Sequence, residues 1–232
     1  ELGRSLHRYG APAHRLEEAM SVICGQLGLR SEFFSTPTML MASFGEPKDL
    51  ETSLMRIEPG ELNLDKLDRL DALAEAVGAR RLSPAEGQTQ LERIIADRPP
   101  YGRVVSTMAY GLAAGAVVPF FAGGLVDAAI ATCIGLLIGM LSLVMQRTSE
   151  QTHVFELVGA GVAAFASVFA ATYFEGVSPS VVTIAAIIGL LPGLTLTTAM
   201  TELATRNLVS GTARLMAAVI VLLELALGVA LG

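Results

Sequence analysis

Hydrophobic and charged positions divide this chain of 232 residues into two parts. Residues 1–103 mix both kinds of position and hold 13 of the 16 Lys and Arg residues and 16 of the 22 Asp and Glu residues. Long runs with few charges follow, each near the ~20 residues that a helix needs to cross the hydrocarbon core. The pattern predicts a water-facing domain, residues 1–103, and a membrane domain, residues 104–232, with five spans at roughly 104–122, 126–146, 155–174, 181–201 and 213–232.

The spacing of apolar positions in the first part predicts a small α+β domain. Helical spacing occurs at its start and again at its end, where Asn63 is a candidate cap and Ser83–Glu86 forms a capping box. Between them, residues 31–45 contain two short apolar runs split by Thr36-Pro37, and residues 52–57 form a third. Short apolar runs bounded by turn residues are typical of strands, so we expect three.

The connections between the predicted spans indicate how the chain lies in the membrane. Connections on the side of the N-terminal domain carry arginines, whereas those near residues 122–126 and 175–180 have no Lys or Arg; the arginines are Arg103, Arg147, Arg206 and Arg214. The positive-inside rule therefore predicts a cytoplasmic N-terminal domain. The predicted fold class is an α-helical polytopic membrane protein with five transmembrane helices and a small N-terminal α+β cytoplasmic domain.

Glycines four residues apart recur in four of the five predicted spans. Small residues at this spacing let helix backbones approach closely, so we expect a bundle; the pairs are Gly111/Gly115, Gly135/Gly139, Gly189/Gly193 and Gly228/Gly232. An odd number of spans leaves the two ends on opposite faces, as in one half of an inverted-repeat transporter. We therefore expect a second membrane half, fused or separate, as a partner. The lipid bilayer and further copies of the chain in a homo-oligomer are also expected partners. Glu1 falls inside a helical pattern and Gly232 ends an apolar one, so both ends are expected to be cuts in a longer polypeptide.

Composition narrows the function classes. The hydrophobic share is 52%, and the net charge of −6 argues against nucleic acid as a partner. Cys24 and Cys133 lie in different parts of the chain, so no disulfide between them is expected. A nucleophile elbow, a zinc-protease motif and a phosphate loop are all missing from the sequence. We therefore expect no enzyme activity, no catalytic residues, no cofactor and no metal.

Titratable side chains near the N-terminus are interpreted as surface groups. His7 and His14 are seven residues apart, about 10 Å along a helix, which is too far for one metal ion. Arg15, Glu17 and Glu18 are interpreted as a solvated helix face, because exposed charges at this spacing are usual.

The fourth predicted span is interrupted near its middle. A proline in a membrane helix removes a backbone donor, and such a defect persists only where it is buried in protein or lines a polar cavity. A discontinuous helix of this kind is typical of transporter substrate sites, and the free N–H groups at its new start would suit a carboxylate. The candidate substrate-binding residues are Pro192, Gly193, Thr195, Thr198 and Glu202. A proline-kinked packing helix is the alternative.

Two further expectations concern the end of this span. Glu202 and Arg206 stand four residues apart and are interpreted as a helical ion pair. Ser210-Gly211 is predicted to form a tight turn with Arg214 close behind it. The threonines at positions 197, 201 and 205 form a stripe whose hydroxyls are expected to bond to their own helix.

Two carboxylates are candidates for proton coupling. Glu224 lies near the middle of the last span, where burial would raise a carboxyl pKa toward neutrality. A protonated Glu in a hydrogen bond between helices is the alternative. Asp127 follows Gly123-Gly124 and either lines an outer vestibule or caps the second membrane helix.

Several short stretches together resemble one known family. They are Gly10-Ala11-Pro12-Ala13-His14-Arg15-Leu16-Glu17, Phe34-Ser35-Thr36-Pro37-Thr38, Asn63-Leu64-Asp65-Lys66-Leu67, Phe121-Ala122-Gly123-Gly124 with Asp127, Leu191-Pro192-Gly193, and Ser210-Gly211-Thr212-Ala213-Arg214. In this order they resemble the N-terminal half of the threonine/serine exporter family of bacterial inner-membrane proteins. The family pattern has Asp-Leu where Glu202-Leu203 stands here.

The resemblance implies a cytoplasmic N-terminal domain, five spans and a second membrane half. It also implies export of threonine and serine, driven by the proton motive force, from the cell inner membrane. Some split-type relatives are associated with export of dicarboxylates such as succinate. The residues alone leave one further alternative, a membrane-anchored sensor or scaffold whose cytoplasmic domain carries the activity.

Overall fold

The computed structural model describes residues 1–46, 48–58, 60, 62–98, 101–145 and 154–232. By its internal contacts the chain forms two compact units. The N-terminal unit comprises residues 1–98 and 194–216, and the helical unit comprises residues 99–193 and 217–232. The predicted boundary at residue 103 lies close to the end of the first segment. The return of residues 194–216 to the N-terminal unit is not evident from the hydropathy pattern.

The N-terminal unit contains one small sheet and four helices before residue 98. The helices are α1 (Leu2–Arg8), α2 (Ala13–Gln26), α3 (Leu64–Gly78) and α4 (Pro84–Ala96), and the strands are β1 (Ser31–Thr36), β2 (Met39–Phe44) and β3 (Glu51–Arg56). The strands pair antiparallel in the order β1-β2-β3. The three predicted strands are thus confirmed.

Alternation along β2 shows how the sheet meets its core. Leu40 and Ala42 are buried, while their neighbours are only partly covered. Leu40 lies in one hydrophobic cluster with Leu6 of α1, Leu16 of α2 and Leu70 of α3. The predicted caps are confirmed, because the Asn63 side chain accepts from the backbone of α3 and a reciprocal capping box opens α4.

The remaining helices are long and apolar. They are α5 (Arg103–Val117) followed by a 3-10 turn (Val118–Phe121), α6 (Leu125–Met145), α7 (Phe155–Tyr173), α8 (Pro179–Ala186) followed by a 3-10 turn (Ile188–Leu190), α9 (Gly193–Ala204) and α10 (Leu208–Leu231). Within the described ranges, four helices are long and apolar enough to cross a membrane, and the count is five if the α8–α9 pair is one span. The polytopic fold with its small sheet is confirmed.

Glycines of α6 allow this helix to pack closely on α5. A Cβ built on Gly135 would lie 2.7 Å from the Tyr110 carbonyl oxygen and 2.8 Å from Ala114 Cβ. A Cβ built on Gly139 would lie 3.0 Å from the Thr107 backbone. These contacts are shorter than carbon atoms tolerate, so the two backbones approach this closely only because the side chains are absent, as the spacing predicts.

The fourth span is broken where the sequence predicts the interruption. Leu191 adopts an extended conformation, with φ −65° and ψ 133°, and α9 begins two residues later at Gly193. A residue in this conformation ends one helix before the next begins, so the chain here is a discontinuous helix. The cause is Pro192, because a proline biases the residue before it away from the helical region.

Two expectations about the following segment are wrong. Ser210 and Gly211 lie inside α10, which begins at Leu208, so they form no turn. The chain instead turns between α9 and α10, where Arg206 has a left-handed backbone with φ 65°. Because α9 ends at Ala204, Arg206 lies beyond the helix and the i,i+4 geometry expected for its pair with Glu202 does not exist.

Candidate functional site

Glu202 is a fully buried carboxylate on α9. Its side chain has 0% exposure, and its Oε1 atom accepts the backbone N–H of Ala13 at 2.9 Å. Ala13 is the first residue of α2, and the cap position before it is Pro12, which has no side-chain cap bond to offer. The first N–H groups of a helix lack partners within the helix and favour a negative charge. Glu202 therefore caps α2 from 189 residues away.

Arg214 of α10 supplies the charge that balances Glu202. Its Nε atom donates to Glu202 Oε1 at 3.2 Å and lies 3.1 Å from Oε2. Its Nη2 atom donates to the Ala11 carbonyl at 3.4 Å. One arginine thus holds both the carboxylate and the backbone just before α2. A buried carboxylate needs such a partner, since an isolated charge away from water is costly.

The end of β1 is bound by side chains from three helices. Because β1 is an edge strand, some of its backbone groups have no partner in the sheet. The Ser35 N–H donates to Glu17 Oε1 at 2.7 Å, and the Ser35 carbonyl accepts from Ser210 Oγ at 2.8 Å. The next carbonyl, that of Thr36, accepts from His7 Nε2 at 2.6 Å. The strand end is therefore fixed to α1, α2 and α10.

We call His7, Glu17, Ser35, Glu202, Ser210 and Arg214 the polar cluster. Two of its members contradict their interpretation as surface groups. His7 is only 4% exposed, because α1 packs with this side chain toward the strand end. Glu17 is partly buried and bonds to a backbone amide, whereas Arg15 and Glu18 are exposed as expected.

Burial sets the protonation of these two groups. Desolvation lowers the pKa of His7, the Thr36 carbonyl bond opposes that shift, and the nearby Arg214 charge lowers the pKa further. His7 is therefore a neutral imidazole that donates from Nε2, and its buried Nδ1 atom has no hydrogen-bond partner. Desolvation raises the pKa of Glu17, and the Ser35 amide opposes that shift. The cluster joins helices and strand to one another; among the described residues no group of His, Cys, Asp or Glu could hold a metal ion.

The candidate residues at the break differ in their surroundings. Thr195 and Thr198 are half-buried, and neither hydroxyl makes a hydrogen bond within the described ranges. A Cβ built on Gly193 would meet no atom within 4 Å, so space is open beside the start of α9. The back-bonded threonine stripe is confirmed, since Thr201 Oγ1 donates to the Thr197 carbonyl at 3.0 Å and Thr205 Oγ1 to the Thr201 carbonyl at 2.9 Å.

Asp127 is buried in the helical unit, with 4% exposure. Its Oδ2 atom accepts the Gly124 N–H at 2.9 Å, just before α6, and its Oδ1 atom accepts the Ser178 N–H at 2.9 Å, just before α8. This geometry is that of a helix cap which also holds a second loop. Both carboxylate oxygens are occupied.

Glu224 lies in the apolar second half of α10. It is half-buried, and its carboxylate makes no hydrogen bond or ion pair with any residue that the structure describes. Its neighbour Leu225 is 3% exposed and belongs to the core of the helical unit. Glu224 therefore lies in an apolar environment, and none of the described residues is a polar partner of its carboxylate. Its role in proton coupling stays a prediction, as do the substrate roles above.

Three of the six stretches that carry the family resemblance contribute to the polar cluster or to the backbone groups that it binds. The segment Gly10–Glu17 supplies Ala11, Ala13 and Glu17, the segment Phe34–Thr38 supplies Ser35, and the segment Ser210–Arg214 supplies both of its end residues. Sequence reasoning missed that these stretches form one site. The signal in the sequence is that these stretches carry polar residues without a partner nearby in the chain, which indicates contacts with distant segments.

Comparisons with known proteins identify the family of this chain. A family model described as “Putative threonine/serine exporter” matches residues 1–232. Three similar proteins, each named “Pheromone-regulated membrane protein 10”, come from Zygosaccharomyces rouxii (31% identical), Saccharomyces cerevisiae (32%) and Eremothecium gossypii (30%). The matches cover 99%, 99% and 100% of this chain but only 24%, 30% and 32% of those proteins.

The chain thus spans about a quarter to a third of the length of the curated relatives it matches. No solved structure matches it. The family model covers the whole chain, and the described residues include four helices that are long and apolar enough to cross a membrane, or five if the α8–α9 pair is one span. The chain belongs to the threonine/serine exporter family of membrane proteins.

Proposed function

We propose that this chain is one membrane half of a secondary exporter for small carboxylate-bearing metabolites, with threonine and serine as the first candidates and the proton motive force as the driving force. The observation that carries the proposal is the discontinuous helix at Leu191–Gly193 in a chain of an exporter family. Discontinuous helices place unpaired backbone groups where a substrate can bind them.

The substrate site of this proposal is the start of α9. Pro192 and Gly193 supply the break, and the first N–H groups of α9 suit a substrate carboxylate. Thr195 and Thr198 have half-buried hydroxyls without partners in the described ranges, so they can bond to the substrate. A small polar metabolite needs several such bonds, because its desolvated groups must all be satisfied.

Glu202 has a different role in this scheme. Its two oxygens contact Ala13 and Arg214, which leaves the carboxylate engaged within the protein. We assign it to holding α9 in place rather than to direct substrate binding. The substrate site then lies at the start of α9, while Glu202 near the end of the same helix bonds to Ala13 and Arg214.

Glu224 is the preferred proton carrier. Its carboxylate makes no hydrogen bond or ion pair with any residue that the structure describes, so a proton can bind and leave without breaking a contact among those residues. Asp127 is less suited, because both of its oxygens accept backbone N–H groups and protonation would disturb both bonds.

The proposed location is a cellular membrane with the N-terminal unit in the cytoplasm. The arginines at the predicted connections support this orientation, with the exception of Arg147, which lies outside the described residues. The similar curated proteins come from fungi, so family membership alone does not restrict the chain to a bacterial inner membrane.

Efflux measurements test the proposal. Cells that express the full-length protein are loaded with labelled threonine, serine or succinate, and efflux is followed with and without a proton gradient. We expect gradient-dependent efflux of one of these, and its loss in Glu224→Gln at unchanged membrane level. Glu224→Asp, which keeps an ionisable group, should retain part of it. Leu223→Gln is the matched control, since Leu223 is 64% exposed and also lies on α10. Gradient-dependent efflux in Glu224→Gln equal to that of wild type would remove this residue from the coupling step.

A further inference from the structure

A cavity in the N-terminal unit is lined by three arginines. It encloses about 380 Å³, and its lining residues are Arg4, Arg8, Arg56, Ile57, Glu58 and Gly60. None of its lining residues belongs to the polar cluster or to the proposed substrate site. Among the described residues that line it, Glu58 is the one acidic residue, and their formal charge is +2, in a chain whose net charge is −6.

The three arginines lack the carboxylate partners that several other arginines of this unit have. Arg15, Arg30, Arg69 and Arg81 each form an ion pair with a carboxylate. Arg4, Arg8 and Arg56 form none with any described residue. Arg4 and Arg8 also stand four apart on α1, where like charges repel each other. A bound anion would relieve that repulsion.

The walls of the cavity are fixed by the fold. Ile57 is 2% exposed, and its N–H donates to the Thr38 carbonyl at 2.9 Å, which anchors the end of β3. Gly60 donates its N–H to the Arg8 carbonyl at 3.2 Å. A Cβ at Gly60 would lie 2.8 Å from both the Arg8 carbonyl oxygen and Arg8 Cγ, so only glycine permits this approach. The chain after β3 is thereby held against the arginine-bearing helix.

We propose that this cavity binds a phosphate group. Guanidinium groups present donors in a planar fork that matches phosphate oxygens, and a lining charge of +2 complements a dianion. A volume of about 380 Å³ is in the range of small-ligand sites. The phosphate group belongs either to a soluble metabolite or to an anionic lipid headgroup, and the recognition chemistry is the same for both. The Glu58 carboxylate then accepts a hydrogen bond from a hydroxyl or amine group in the remainder of the ligand.

The first test uses the full-length protein in phosphatidylcholine nanodiscs, titrated calorimetrically with inorganic phosphate at constant ionic strength. We expect saturable binding that weakens at least about tenfold in Arg8→Gln and in Arg56→Gln, as loss of a charge-assisted bond predicts. Arg93→Gln is the matched control, because Arg93 is an exposed arginine of α4 outside this cavity. Its affinity should equal that of wild type.

Two variants separate binding from folding. Arg8→Lys keeps the charge and removes the fork, so binding should weaken less than in Arg8→Gln. Gly60→Ala keeps all three arginines but intrudes on Arg8, so binding should weaken although the charge is unchanged. Absence of saturable binding, equal losses in Arg93→Gln and Arg8→Gln, or tighter binding of succinate than of phosphate would each overturn the proposal.

A second arm identifies the source of the phosphate group. The titration is repeated in nanodiscs that contain phosphatidic acid. If a lipid headgroup occupies the cavity, the affinity for inorganic phosphate should fall at least about tenfold relative to pure phosphatidylcholine. An unchanged affinity assigns the site to a soluble phosphate compound.

Discussion

The ion pair between Glu202 and Arg214 permits a sharp test of what holds the N-terminal unit together. Breaking a buried ion pair by removing one partner costs about 3–5 kcal/mol. Two single replacements should differ in cost, because Glu202 is 0% exposed whereas the Arg214 side chain is 19% exposed. The perturbations are Glu202→Gln, Arg214→Leu and the double variant.

Glu202→Gln should cost about 3 kcal/mol, at the lower end of that range. The amide oxygen still accepts the Ala13 N–H, and water partly solvates the unpaired Arg214. Arg214→Leu should cost about 5 kcal/mol, because the carboxylate loses its counter-charge without access to water. The double variant should be more stable than Arg214→Leu alone, so the coupling energy should be at least about 3 kcal/mol.

Cys24 provides the assay. It is 6% exposed in α2, so a maleimide reagent labels it only when the N-terminal unit opens. Cys133 is exposed and is replaced by Ser in every variant. With ~1.4 kcal/mol for each tenfold change, the labelling rate should rise about 10²-fold for Glu202→Gln and 10³-fold or more for Arg214→Leu.

Arg15→Leu is the matched control, because Arg15 also lies on α2 but pairs with Asp71 at the surface. An exposed ion pair contributes about 1 kcal/mol or less, so the labelling rate should rise by less than about fivefold. If Arg214→Leu raised the rate no more than Arg15→Leu does, the ion pair would not stabilise this unit and the argument from burial would be refuted.

Three further predictions concern other parts of the chain. Burial lowers the pKa of His7 in the folded protein below 6.5, its value in the unfolded chain. On acidification below pH 6.5 the unfolded chain therefore binds a proton first, and the free energy of unfolding falls by at most about 1.4 kcal/mol per pH unit until the pKa of the folded state is reached. Thermal unfolding should show this pH dependence in wild type and not in His7→Gln. Gly135→Ala should destabilise the protein by about 1–3 kcal/mol, because the added methyl group overpacks the contact between α5 and α6. Gly25→Ala should stabilise the protein by about 0.5–1 kcal/mol, because the space around Gly25 is open and alanine favours a helix more than glycine does. The unfolding temperature should therefore shift in opposite directions in the two variants. Replacing Thr195 and Thr198 together by Ala should raise the substrate concentration needed for half-maximal efflux, and unchanged efflux kinetics would exclude them from the site.

Features that depend on local sequence could be predicted well. Helices α6 and α7 begin and end within about one residue of the predicted bounds, and α5 does so together with the 3-10 turn that follows it, because length and hydropathy are properties of a single segment. The strands were also accessible, since Thr36-Pro37 marks the turn between two apolar runs. The break followed from Pro192, whose effect on the preceding residue is intrinsic to proline.

Features that depend on distant contacts could not be predicted. The partner of Glu202 was assigned to Arg206 by helical spacing, yet the helix ends before that residue and the chain turns there. Arg214 becomes the partner only because the next helix begins at Leu208. Burial of His7 likewise results from the packing of α1 on the end of β1. The seven residues of α1 alone do not show which face of the helix makes this contact.

The distance in sequence between Ala13 and Glu202 has a consequence for synthesis of the protein. The first 98 residues emerge from the ribosome long before residues 194–216, which complete their unit. Until then, the first N–H of α2 and the Ser35 carbonyl have no protein partner. The N-terminal unit therefore finishes folding only after translation passes Arg214, when helices α5 to α8 have already been made. A fragment that ends near residue 103 would isolate the sheet and its helices in the state that precedes this closure, with α2 uncapped and the end of β1 free to pair with other chains.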